Sequence, residues 1–274
     1  MASPDPAPHP VAAHYTSHSQ LERILTALAQ EGHDLDALDP EALGTFEDFH
    51  TMGRLATHEL AELADVRDTD HVLDLGSGIG GPARFLARTF GCHVTGIDLT
   101  PELCAVAREL DERTGMDGLV TIDEGDVTDL PYDDATFDLV WTQHVMMNVA
   151  DKATAYREAH RVLKATGRFA MFDIVATDER GPSFPVPWAD EPSVSHLVRA
   201  DEVRTLLEAA GFAIALEQDP SEQAAAFFRS MAAAPPSGPL NVGLLIPGFP
   251  EKAINLASGF EEGRIRLLRL LAVA

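Results

Sequence analysis

The sequence predicts an α/β domain built on a mostly parallel β-sheet, and three observations carry that prediction. From Asp70 onward, short β-branched runs alternate with stretches of helical periodicity, the rhythm of strands joined by crossover helices. A glycine-rich turn, VLDLGSGIGG over Val72–Gly81, follows the first of these runs. An acidic residue, Asp98, closes the second run, 22 residues after Gly76.

The elements follow in order. Residues 1–16, rich in Pro, Ala and His, read as a flexible tail, with Tyr15 in reach of a ligand if it folds back. Residues 17–66 read as an N-terminal helical segment covering the active site. Ser19 stands three residues before Glu22 in capping-box spacing, Leu21, Ile24, Leu25 and Leu28 recur at helical intervals, and a second helix runs from about 53 to 63. Residues 67–274 form the main domain. Strands are expected at 71–75, 92–97, 119–123, 137–142, 168–174 and 212–217, and helices at about 81–89, 101–114, 151–163 and 200–210, the last closed by Gly211. Further helices fit 221–233 and 250–259, separated by a Pro/Gly-rich crossing at 235–249, and the closing IRLLRLLAVA is expected to be a strand.

Composition narrows the function. With 20 Lys+Arg against 44 Asp+Glu the formal net charge is -24, a field that repels phosphate backbones and anionic membranes. Nucleic acid and membrane are therefore not expected as partners, and a small molecule is. Lysine is confined to Lys152, Lys164 and Lys252, a usage that points to a GC-rich genome or a salt-adapted host. Cys92 and Cys104 lack metal or redox spacing and lie in apolar surroundings, so they read as buried free thiols. No basic-then-apolar leader and no membrane-length apolar run is visible, so a cytoplasmic protein is expected.

The glycine loop admits two cofactors. Gly76, Gly78 and Gly81 fit the G-x-G-x-x-G spacing of dinucleotide folds, whereas Asp74 with Gly76, Gly78 and Gly80 fits D-x-G-x-G-x-G. Asp98 suits a ribose in either case. Asp74 discriminates, because a carboxyl at a strand end costs free energy unless a partner such as an ammonium compensates it. The run EGDVTDLPYDDATFDLVWTQHV from Glu124 discriminates again, with Asp126 after the third strand and FDLV opening the fourth.

On these motifs the chain resembles the class I S-adenosylmethionine-dependent methyltransferases over about residues 70–217. The resemblance implies a Rossmann-like seven-stranded sheet with helices on both faces, elaborated by the N-terminal helices and a C-terminal cap. It implies S-adenosylmethionine as cofactor, S-adenosylhomocysteine as product, and no metal. Carried over by motif, the methionine part lies along Asp74, Gly76, Ser77, Gly78 and Gly80, the ribose on Asp98 beside Leu99, and the adenine on Asp126 with Val127. HRVLKATGRF departs from the family's usual L-K-P-G-G turn by having Ala165-Thr166-Gly167.

Methyl transfer is an in-line displacement that needs positioning, exclusion of water, and a base when the acceptor carries a proton. Polar residues at the carboxyl ends of the fourth and fifth strands are the candidates. His144 is expected as the catalytic base and Gln143 as a cofactor contact, while Met147, Asn148 and Asp173 are expected near the acceptor. The proline-stiffened insertion at about 178–198, carrying Phe184, Trp188 and His196, reads as a lid. His50, Met52 and Arg54 reach the same side if the N-terminal helices cover the cofactor, with Arg54 read as a carboxylate clamp.

The arrangement is similar to bacterial small-molecule enzymes related to sarcosine and dimethylglycine N-methyltransferases. That likeness puts N-methylation of a small amino acid first and C- or O-methylation of a polyketide, isoprenoid or similar metabolite second. An NAD(P)-dependent oxidoreductase and a non-catalytic cofactor-binding protein are the alternatives of another class. The sequence leaves monomer and homodimer open.

Overall fold

The computed structural model describes residues 9–16, 19–44, 46–178, 180–233 and 238–274. Its seven strands are β1 (His71–Leu75), β2 (His93–Asp98), β3 (Val120–Glu124), β4 (Phe137–Gln143), β5 (Leu163–Ala176), β6 (Ala213–Gln218) and β7 (Ile265–Val273). They form one sheet in the order β3-β2-β1-β4-β5-β7-β6. The first five are parallel, and β7 enters antiparallel between β5 and β6. The closing apolar run is thus the strand expected: Gly263, at φ 63°, turns the chain and Ile265 starts a ladder flanked on both sides, which explains its nearly unbroken apolar character.

Helices cover both faces. α3 (Gly53–Ala64), α4 (Gly81–Phe90), α5 (Pro101–Thr114), α8 (Ser221–Ala233) and α9 (Phe249–Glu261) contribute to one core with Val72, Leu139, Trp141 and Phe172. On the other face α6 (Lys152–Val162) and α7 (Ala200–Ala210) pack Ala155, Tyr156, Val203 and Leu207 against Leu73, Val140, Phe169 and Leu270. The alternation of Val72 and Leu73 between the two cores is the period-two pleat at work. A third core joins α2 (Gln20–Gln30) to α5 through Ile24, Leu28, Leu103, Val106 and Leu110.

Three local expectations change. Ser19 precedes α2 with φ 71° and no side-chain cap bond, so the capping-box spacing is not used as one. β5 begins at Leu163, directly after α6, because Leu163 pairs with Phe137 before the register shifts to Leu139↔Arg168. Within the stretch expected as a flexible tail, Pro10–Tyr15 form a short helix, α1; residues 1–8 lie outside the described residues. α1 is tied down by His14, whose Nδ1 lies 3.1 Å from Asp190 Oδ2, and by the Tyr15 hydroxyl, which donates to Asn148 Oδ1 at 3.3 Å.

Candidate functional site

The sheet presents the carboxyl ends of β1, β2 and β4 to a single cavity of about 860 Å³, the crevice in which open α/β sheets bind ligands. Its floor is the β1–α4 loop. Gly76, at φ 69°, approaches Val145 so closely that a Cβ there would sit 2.4 Å from Val145 Cγ2. Gly81 touches the N-terminal segment, where a Cβ would meet the Glu47 carbonyl oxygen at 2.9 Å. The third glycine of the dinucleotide spacing therefore serves packing against residues 46–54.

Asp98 shapes this loop. Its Oδ2 accepts from the Gly78 amide at 2.9 Å and its Oδ1 from the Thr100 amide at 2.8 Å. Burial raises its pKa, and those two amides oppose the rise. Asp74 is also buried, with Oδ2 unpartnered among the described residues. Burial first, and then the Asp98 charge, push its pKa well above the ordinary carboxylate value. Ser77 Oγ and Gln143 Nε2 are likewise buried without partners. Gln143 is oriented by Trp141 Nε1, 3.1 Å from its Oε1, and by Thr57 Oγ1, which donates to the same oxygen at 3.3 Å. That saturates the amide oxygen and leaves the NH₂ as the donor on offer. Two acids with no cation, beside orphaned donors, fit a polar ligand that brings positive charge, as the ammonium and sulfonium of S-adenosylmethionine do.

Leu99, Asp126 and Val127 border the same cavity. Asp126 stands exposed at the rim, and its Oδ1 accepts from Thr128 N and Oγ1, each at 2.8 Å. Gly80 is not on the wall: it precedes α4 at φ 85°, where a Cβ would strike Arg84. Its part is to admit a buried arginine. Arg84 holds Glu47 at 2.7 Å, Asp111 at 2.8 Å and the Ile79 carbonyl at 2.5 Å. Sequence reading missed this ion network. Its signal was an arginine inside the apolar stretch GGPARFLA.

On the acceptor side, His50, Met147, Asn148, Trp188 and His196 all line the cavity, together with His144. Asn148 does so as a strut, since its Nδ2 donates to the Trp188 and Val194 carbonyls at 2.9 and 3.0 Å, fastening the 144–148 loop to the insertion at 178–198. The His196 amide reinforces this, donating to Met147 O at 2.7 Å. Arg54 reaches the wall, but its guanidinium is engaged by Asp48 and by Glu47 at 2.7 Å, with Phe85 4.8 Å beneath it. It is not a free carboxylate clamp. Asp173, expected near the acceptor, is corrected too: it lies outside the cavity, accepting from the Met146 amide at 2.7 Å and the Ile174 amide at 2.8 Å, and so shapes the 144–148 loop.

The far wall was not anticipated. α8 brings Phe227, Phe228 and Met231, and the 242–256 region brings Ile246, Phe249 and Leu256. The only hint was FFRSM in an otherwise ordinary amphipathic stretch.

The profile of the methyltransferase domain family matches residues 73–171. Over 132 residues the chain is 37% identical to a glycine/sarcosine/dimethylglycine N-methyltransferase of Actinopolyspora halophila, covering 48% of this chain and 23% of that protein. Over 174 residues it is 33% identical to the methyltransferase GfsG of Streptomyces halstedii, covering 62% and 63%. The chain thus spans less than two thirds of the curated relatives it matches. Among solved structures, the geranyl diphosphate C-methyltransferase of Streptomyces coelicolor A3(2) superposes over 98% of this chain and 99% of that one, with TM-score 0.72 and 16% identity, a likeness of fold.

Proposed function

We propose that this chain, which carries a methyltransferase domain across residues 73–171, uses S-adenosylmethionine to methylate a small, largely apolar acceptor. The observation that carries the reading is the division of one cavity into a polar, acidic floor and an apolar, aromatic far wall. When bound, the cofactor supplies an electrophilic methyl group on a positively charged sulfur. Asp74 and Asp98 give the floor a negative potential that favours such a cation, and Gln143 Nε2 and Ser77 Oγ offer the hydrogen bonds that orient it. Trp188, Phe227, Phe228 and Met147 hold the acceptor's apolar body and keep water out. α1 and the 178–198 insertion close the cavity above them through Tyr15, His14 and Asn148.

Charge supports an acceptor without a carboxylate. Among the described residues, Arg54 is the only arginine or lysine on the wall, and Glu47 and Asp48 already neutralise it. N-methylation of a small amino acid is the second reading, favoured by the 37% identity to an N-methyltransferase.

One experiment separates them. Labelled S-adenosylmethionine is offered with sarcosine, with dimethylglycine, and with an apolar metabolite extract of the source organism. Label in the apolar fraction alone is expected. Label in dimethylglycine or betaine replaces the apolar acceptor by the amino acid.

A further inference from the structure

His50 and His144 border the same cavity from different elements, and their hydrogen bonds give them different chemistry. At His144 the Thr51 amide lies 3.5 Å from Nδ1, at the outer limit of a hydrogen bond, which reserves that lone pair and leaves the proton on Nε2. Nε2 is itself buried, with no partner among the described residues. The ring stacks on Phe172 at 5.3 Å between centroids and 12° between planes. The backbone at His144 is in the left-handed region, φ 55°, pinned by its amide donating to Phe172 O at 2.8 Å. With Nδ1 engaged and the proton on Nε2, His144 borders the cavity with no lone pair free to take a proton.

His50 is arranged the other way round. Its Nε2 lies 3.0 Å from the Gly53 carbonyl oxygen and 3.0 Å from Thr57 Oγ1. A carbonyl only accepts, so Nε2 carries the proton and Nδ1 holds the lone pair. Thr57 passes its own hydrogen on to Gln143 Oε1, which gives the chain of bonds one direction. No described residue bonds Nδ1. The carbonyl on the far nitrogen fixes the tautomer and stabilises the ring once it becomes an imidazolium, the role an orienting acceptor plays behind a catalytic histidine.

We propose that His50 Nδ1, not His144, takes the acceptor's proton, and that His144 is a positioning residue for the 144–148 loop. The proposal rests on the methyltransferase reading above. The acceptor's X–H bond gives its proton to Nδ1 while its electron pair forms the bond to the methyl carbon. The S–CH₃ pair stays on sulfur, leaving a neutral thioether, and the positive charge ends on His50 with Gly53 O still holding Nε2–H.

Diethyl pyrocarbonate, which acylates accessible unprotonated imidazoles, tests the assignment on the wild-type protein without any acceptor, with sites read by peptide mass spectrometry. His50 is expected to react faster than His144; His144 reacting as fast or faster overturns the proposal. His50→Gln keeps a donor for Gly53 O and removes the base. On the acceptor that takes up label, it should lower kcat about a hundredfold and leave the S-adenosylhomocysteine Kd within about threefold. Wild-type kcat in that variant overturns the proposal as well. A wild-type protein that binds no S-adenosylhomocysteine in calorimetry would instead remove the methyltransferase reading, an outcome distinct from the ranking of the two histidines.

Discussion

The floor and the far wall of the cavity are built on opposite plans. The floor comes from strand–helix turns of one sheet, where backbone amides of Gly78 and Thr100 hold Asp98 and the buried Asp74 lies beside it. The far wall is assembled from α8 and the 242–256 region, and α1, residues 46–54 and residues 187–196 join it around the cavity, segments that meet only in the folded chain. The floor thus belongs to the edge of the sheet, while the far wall depends on segments distant from one another in sequence.

If the two regions are as distinct as this, substitutions should separate them. The largest effect is expected at their junction. Glu47→Ala leaves the buried Arg84 and the half-buried Arg54 short of a counter-charge, and should cost about 3–5 kcal/mol of stability in urea unfolding. Asp98→Ala removes two charge-assisted amide bonds from the floor and should weaken S-adenosylhomocysteine about a hundredfold in calorimetry, with the acceptor wall untouched.

Acid should expose the histidines between the regions. Burial, against the opposing pull of the Gly53 carbonyl and helped by the Arg54 charge, lowers the His50 pKa from 6.5 to about 4, and burial together with the neighbouring His50 holds His144 well below the ordinary histidine value. The unfolded chain therefore binds protons that the folded one refuses. Stability is intact above pH 6.5 and falls as the pH drops toward 4, by about 3 kcal/mol for His50. Urea midpoints measured across that range should fall less steeply in His50→Gln. On the far wall, Phe228→Ala should raise the acceptor KM roughly tenfold and leave the cofactor Kd unchanged. The smallest effect is reserved for Arg54→Ala, which should not alter the enzyme's preference between carboxylate and neutral acceptors in competition assays, because its guanidinium is already paired.

The contrast also explains what the sequence made legible. Strands β1 to β4 and β6 and the run from Asp74 to Gly78 follow from local periodicity and spacing, and the structure has them within a residue or two. Asp98 and Gln143 could be placed at strand ends for the same reason. By contrast β5 starts at Leu163 rather than at 168, and β7 is expected as a strand because the family resemblance implies a seventh one. Arg54 and Asp173 could not be read correctly, since each is decided by a partner elsewhere: Glu47 and Asp48 for the one, the Met146 and Ile174 amides for the other. The aromatic wall was hidden because Phe227 and Phe228 sit on a helix whose pattern is that of any core-packing helix. Nothing in their spacing says that a cavity lies beneath them.

The most direct test of the account is calorimetric titration of the wild-type protein with S-adenosylhomocysteine, with NADH run in parallel. The account predicts saturable binding of S-adenosylhomocysteine at one site per chain and no heat from NADH. Binding of NADH with no response to S-adenosylhomocysteine would contradict it, because the buried Asp74 would then be facing a ligand with no cation to offer it.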